Sequence, residues 1–135
     1  MIIEKQWRQY PGFMDSTFQF GSRYEQDDKQ LPEYKFIFEF SYYGCRSYDE
    51  IWTSIIIGNA KFVFQPGTES IALEQYSEDS HDWEDTGIRF HGTPEKFISE
   101  HVYHRKDDLL WWYRKCSHKF RETVPSRIKE LQDLM

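Results

Sequence analysis

The sequence predicts an α+β fold: an antiparallel β-sheet of about five to six strands over residues 1–92, packed by two or three C-terminal helices over residues 94–134. Three observations predict it. The apolar pattern repeats every second residue in the first two thirds of the chain and at helical spacing after residue 93. A β-branched and aromatic run over 51–57 and a returning run over 61–65 flank Gly58-Asn59, the signature of a tight hairpin. Strands come first and helices last, which favours helices gathered on one face of a sheet. At 135 residues with no linker-like tract or internal repeat, the chain is expected to be one domain.

Taken in order, residues 2–7 and 17–20 carry strand patterns, the second with Phe18 and Phe20 in phase. Residues 21–32 are charged and turn-rich and read as a loop. The clearest strand spans 34–42, where Tyr34, Phe36, Phe38, Phe40 and Tyr42 alternate with Lys35, Ile37, Glu39 and Ser41. A helix of about 3.6 residues per turn would scatter those five rings; a strand puts them on one face. The opposite face mixes charge with Ile37 and reads as half solvated. Residues 51–57 turn at Gly58-Asn59, expected to supply positive φ, and return along 61–65, ended by Pro66-Gly67. Residues 70–76 hold Ile71 and Leu73 on one side, and residues 87–91 hold Ile88 and Phe90. The polar stretch 77–86 between them reads as a loop.

Thr93-Pro94 supplies an N-cap and a first-turn proline for a helix with Phe97, Ile98, His101 and Val102 on one face. Asp107-Asp108 opens a second helix, acids at its positive end. Leu109, Trp112, Tyr113, Cys116 and Phe120 form its apolar stripe. Pro125 is expected to break or kink this helix and to start a short third one carrying Ile128, Leu131 and Met135 inward. The aromatic face of 34–42 and the Leu109, Trp112, Tyr113 and Phe120 stripe are natural mates.

Twenty-five of the 135 residues are Phe, Trp or Tyr, and the formal net charge is −6. Residues 1–100 carry net −9 and residues 101–135 net +3. An acidic body repels phosphates, so nucleic acid is not expected as the main partner, whereas a basic protein would be steered toward it. Charged residues make up 30% of the chain and mean hydropathy is −0.81. No apolar run approaches the ~18 residues of a membrane span, so no membrane association is expected. The N-terminal residues lack a signal-peptide pattern, and Cys45 and Cys116 read as reduced thiols, so the expected location is the cytoplasm.

Residues 74–85 hold six acids and no Lys or Arg, interleaved with Tyr76 and Trp83. Most charge runs are solvated loops. Here a large indole in so polar a stretch has little core to enter, which points to a docking surface. The candidate partner-binding residues are Tyr76, Glu78, Asp79, Asp82, Trp83, Glu84 and Asp85: carboxylates for steering and charge-assisted bonds, rings as anchors. A secondary interface is read at Leu110, Trp111 and Arg114, on the side of the second helix away from its stripe. Leu110 and Trp111 would also allow a homodimer. In composition the chain resembles small, acidic, aromatic-rich bacterial toxin-immunity proteins, including those of contact-dependent inhibition systems, and residues 74–85 carry the likeness. That resemblance implies a non-enzymatic inhibitor that covers a basic partner such as a nuclease toxin domain.

No catalytic motif, cofactor fingerprint or metal-ligand spacing stands out. The carboxylates of 79–85 do not match a calcium loop. His91, His101, His104, Cys116 and His118 lack zinc-site spacing, and His101 falls on an apolar stripe where an interior histidine is commoner than a ligand. No catalytic residue, cofactor or metal is therefore assigned. Two alternatives stand beside the binding module. One is an aromatic-lined ligand pocket or enzyme with His91, His101 or Tyr42 orienting a substrate. The other is a nucleic-acid contact through the basic segment 105–121, which includes Arg105, Lys106, Arg114, Lys115, Lys119 and Arg121.

Overall fold

In the computed structural model, seven antiparallel strands form one sheet in sequential order, followed by two helices. The structure describes residues 2–9, 18–26, 36–45, 48–103 and 105–133. The strands are β1 (Ile2–Gln9), β2 (Phe18–Gln26), β3 (Phe36–Cys45), β4 (Tyr48–Ile57), β5 (Ala60–Phe64), β6 (Ser70–Ser77) and β7 (Asp82–His91). The helices are α1 (Pro94–His101) and α2 (Lys106–Asp133). The α+β class stands, with seven strands rather than five to six. Residues 21–26 belong to β2 instead of a loop. Tyr34, Lys35 and Met135 lie outside the described residues, as does His104.

Register explains the core. Phe20 lies opposite Tyr42, Tyr24 opposite Phe38, Phe38 opposite Ile55, Ile55 opposite Phe62, and Phe64 opposite Ile71. All therefore share one face of the pleat. Both helices cover that face, and Leu109, Trp112, Tyr113, Cys116 and Phe120 are buried against it. Phe20 stacks on Tyr42 with centroids 4.8 Å apart, Phe38 meets Trp112 at 4.6 Å, Phe40 stacks on Phe120 at 5.6 Å and Phe62 meets Phe97 at 4.5 Å. Offset and tilted pairs of this kind each add about 0.5–1.5 kcal/mol beyond area burial. Gly44 must lack a side chain, because a Cβ there would run into the Tyr42 ring.

Turns and caps follow local chemistry. Ile57 pairs with Ala60 across the two-residue Gly58-Asn59 loop, and of those two residues only Gly58 takes a positive φ, 59°. Thr93 caps α1 by accepting the Lys96 amide at 3.2 Å. Pro125 neither ends α2 nor starts a third helix; it lies inside one helix of 28 residues. The missing N–H falls opposite Arg121, and both residues are on the solvent side. The Thr123 hydroxyl donates to the Phe120 carbonyl at 2.7 Å and the Ser126 hydroxyl to the Thr123 carbonyl at 3.0 Å, giving this turn added bonds. Beyond it, Arg127 is buried: its guanidinium donates to the Gly21 carbonyl and to Ser22 Oγ, each at 3.1 Å, and lies 4.4 Å from the Phe20 ring centroid.

The opposite face of the sheet carries neither of the two described helices, yet Ile37 and Ile56 on it are buried at 6% and 3% exposure. It is therefore less solvated than the charge in β3 suggests. A row of alternating charge crosses the strands there. Lys5 Nζ lies 3.9 Å from Glu25, Arg23 Nε 2.8 Å from Glu25, Arg23 Nη1 3.5 Å from Glu39, and Lys61 Nζ 3.5 Å from Glu39.

Candidate partner-binding surface

The acidic segment is a β-hairpin. Strand pairing continues to Ser77 opposite Asp82, so residues 77–86 are mostly strand and only 78–81 form the turn. His81 takes a φ of 54° there. The Ser77 hydroxyl accepts the Ser80 amide at 3.4 Å, and the Ser80 hydroxyl donates to Glu84 at 3.1 Å. Glu78 and Asp79 stand exposed at the tip.

Tyr76 and Trp83 are direct cross-strand partners, their rings edge to face at 5.5 Å. Lys61 Nζ approaches the indole at 5.8 Å. The indole is thus half-buried against β5 and β6 rather than stranded in a loop, while Tyr76 stays 39% exposed. The pleat divides the carboxylates. Trp83 and Asp85 face the side of Tyr76 and Glu74; Asp82 and Glu84 face the other side, that of Gln75 and Ser77. The seven candidate residues therefore wrap the hairpin end instead of forming one flat patch. A shallow groove of about 450 Å3 runs along it, lined by Gln75, Tyr76, Ser77, Glu84, Asp85 and Thr86.

Asp85 has a different role from its neighbours. It accepts two bonds from Arg89, at 2.8 and 2.6 Å, and one from the Gly87 amide at 2.9 Å. The Arg89 guanidinium, then the Gly87 amide, hold its carboxyl at about 2. In a regular strand residues i and i+4 would lie about 13 Å apart. Asp85 and Arg89 meet because the chain bulges between them: Ala72 pairs with Arg89 and Glu74 with Asp85, leaving Thr86, Gly87 and Ile88 against Leu73 alone. Gly87 takes the positive φ this needs, 81°. Ile88 is 50% exposed, whereas Phe90 packs on Phe62 and Phe97. Asp85 braces the bulge, and the carboxylates left to face outward are Glu78, Asp79, Asp82 and Glu84.

The secondary surface comes apart. Leu110 is half-buried against the core, and Arg114 bridges to Glu95 on α1 at 3.2 Å. Trp111 alone keeps a broad free face, at 62% exposure, with Lys115 Nζ 4.8 Å from its ring centroid. Three of the six Lys and Arg residues of the basic segment pair with the chain's own acids: Arg114 as above, Arg105 with Asp108 at 3.2 Å, and Lys119 with Glu4 at 2.6 Å. Glu4 also accepts from Tyr24 at 3.2 Å. Burial opposes its ionisation, but Gln6, Lys119 and Tyr24 outweigh that and hold its carboxyl below the ordinary value.

The histidine and pocket residues do not converge. Tyr42 is buried in the core, His91 is exposed 3.5 Å from Glu69, and His101 is exposed, its ring resting on Phe90 and Phe97 rather than inside the protein. Burial pushes the Cys116 thiol up to about 12, far from a reactive thiolate. Among the described residues no three His, Cys, Asp or Glu side chains gather as a metal ion would require. No described helix is long and apolar enough to cross a membrane.

One feature escaped the sequence pattern: two adjoining clefts of about 370 and 270 Å3 share Ile51, Pro66, Gly67 and Arg121. Thr53, Thr93 and Tyr113 line the smaller and Asp49 and Glu50 the larger. No spacing announces them, because their walls come from four separate elements. Compared with family models, curated proteins and solved structures, the chain matches none.

Proposed function

We propose that this protein is a non-enzymatic binding module whose β6–β7 hairpin docks on a basic protein partner. The observation that supports this best is the hairpin itself: Glu78, Asp79, Asp82 and Glu84 exposed around an interlocked Tyr76–Trp83 pair, with no Lys or Arg from 74 to 85. The carboxylates supply steering and charge-assisted bonds, and the ring pair supplies a preformed apolar anchor. In its finer form, the partner is a cytoplasmic nuclease toxin domain that the protein covers and silences.

The test is affinity capture from native lysate with wild type and with Glu78→Lys/Asp79→Lys. The expected result is a stoichiometric basic protein on the wild type that is lost from the variant, and whose nuclease activity falls when wild type is added back. Equal capture by both proteins would refute the hairpin as the docking site.

A ligand-binding reading has one specific observation in its favour. Arg121 lines both adjoining clefts and has no ion-pair partner among the described residues. A small anion is the ligand class that such a cleft would take.

A further inference from the structure

Two oppositely charged side chains share the larger of the adjoining clefts without meeting. Asp49 and Arg121 both line it, yet neither forms an ion pair with any described residue. Asp49, Ile51 and Thr53 lie opposite Gly44, Tyr42 and Phe40, so all three belong to the helix-covered face of the sheet. Burial falls along them as β4 leaves the core: Thr53 is 6% exposed, Ile51 half-buried and Asp49 exposed. Glu50 belongs to the other face, where its carboxylate accepts from Trp52 Nε1 at 2.8 Å. Of the two acids lining the larger cleft, Asp49 is therefore the one whose charge shares a face with Arg121.

The smaller cleft continues from Arg121 toward the core. Ile51, Phe64 and Pro94 give it apolar lining, and Thr53 and Tyr113 give it hydroxyls. Tyr113 is 7% exposed, and its hydroxyl lies within hydrogen-bonding reach of Ser117 and Thr53. Burial raises the Tyr113 phenol above its ordinary pKa and the Arg121 charge opposes that, so the guanidinium acts on the hydroxyl at close range. The phenol keeps its proton, and hydroxyls turn to suit an acceptor. A guanidinium beside such hydroxyls suits a carboxylate, which it can grip with two parallel bonds. A phosphate would meet the same donors, but with the Asp49 charge beside them and a chain of net charge −6 around them. A ligand that carries a cationic group as well as its carboxylate turns that repulsion into a second contact.

We infer that the adjoining clefts form one site for an amino-acid zwitterion, either a free amino acid or a short peptide. The carboxylate sits on Arg121 and the Thr53–Tyr113 hydroxyls, the ammonium group on Asp49, and an apolar side chain against Ile51 and Phe64. This rests on the ligand-binding reading above and is independent of docking through the hairpin. Amide NMR spectra of the full chain, titrated with leucine, leucyl-leucine, isocaproate (leucine without its amine) and inorganic phosphate, test it. Leucine or leucyl-leucine is expected to shift the amides of Ile51, Gly67 and Thr93 with a Kd of about 1 mM or below, and the tighter of the two gives the ligand's length. Isocaproate and phosphate are expected to bind at least about tenfold more weakly, the effect of losing one charge-assisted contact.

Arg121→Gln is expected to abolish the shifts with all four probes. Asp49→Asn is expected to weaken leucine and leucyl-leucine about tenfold while isocaproate binds as before or more tightly. Both side chains are exposed, so the fold is expected to survive either change, and an unaltered spectrum away from the clefts checks that. Isocaproate or phosphate binding as tightly as the zwitterions overturns the inference and leaves an anion site standing. No shift at the clefts with any probe up to about 20 mM overturns both.

Discussion

Arg127 carries a full charge into the core of the α2–sheet interface, and its surroundings explain why it is tolerated. At 9% exposure it satisfies two β2 oxygens, at Gly21 and Ser22, and covers the Phe20 ring. A buried cation without such partners would cost several kcal/mol. Arg127→Ala would strand those acceptors, and the expected loss is about 2–3 kcal/mol in urea denaturation. A loss below about 0.5 kcal/mol would mean the contact is incidental. This residue was readable and passed over: it stands seven positions, two helical turns, after Phe120 on the same stripe, where only apolar residues are looked for. Asp85 is engaged in a way its neighbours' composition hides. Composition placed it among free carboxylates, whereas Gly87 two residues on marks the bulge that folds Arg89 back onto it.

Two elements differ from their sequence patterns. Pro125 does not interrupt α2 because the lost bond lies on the exposed side while Arg127, Ile128 and Leu131 continue the buried stripe beyond it. Tertiary packing overrides the local penalty. Proline costs about 3 kcal/mol relative to alanine in a helix interior, part of which its stiffening of the unfolded chain returns. Pro125→Ala is therefore expected to raise unfolding free energy by about 1–2 kcal/mol. Destabilisation would show that docking of the last two turns requires the proline. The β6–β7 hairpin was hidden because its alternation is polar on both faces: once past Ile71 and Leu73, neither side of the pleat meets a helix, so no apolar period remains to find. Its one legible sign was the pair of rings, Tyr76 and Trp83, at positions that a hairpin brings together.

At the scale of the molecule, most of the described aromatic residues are buried and most of the described acids are exposed, with Trp111, Tyr103 and Glu25 among the exceptions. Phe20, Phe38, Phe40 and Phe120 are essentially without solvent exposure, and the helices supply the counter-surface that the 34–42 alternation called for. That much of the fold was legible because burial of one sheet face leaves a strict period of two. The full length of β7 was not, since residues 82–86 bury so little. Among the described residues the acidic excess lies mostly on the surface, where charge acts on encounter more than on folding in the proposed docking. The acidic hairpin was legible as a segment but not as a shape; the pleat and the bulge decide which carboxylates point outward.

The most direct test of that account is calorimetric titration of the captured basic partner at low and high salt against wild type, Glu78→Lys/Asp79→Lys and the charge-matched control Glu130→Lys/Asp133→Lys on α2. Wild-type affinity is expected to fall with salt, with a loss of about a hundredfold for the hairpin variant and of less than about fivefold for the helix variant. Equal weakening by both variants would contradict that account, because net charge and not the hairpin would then set the affinity.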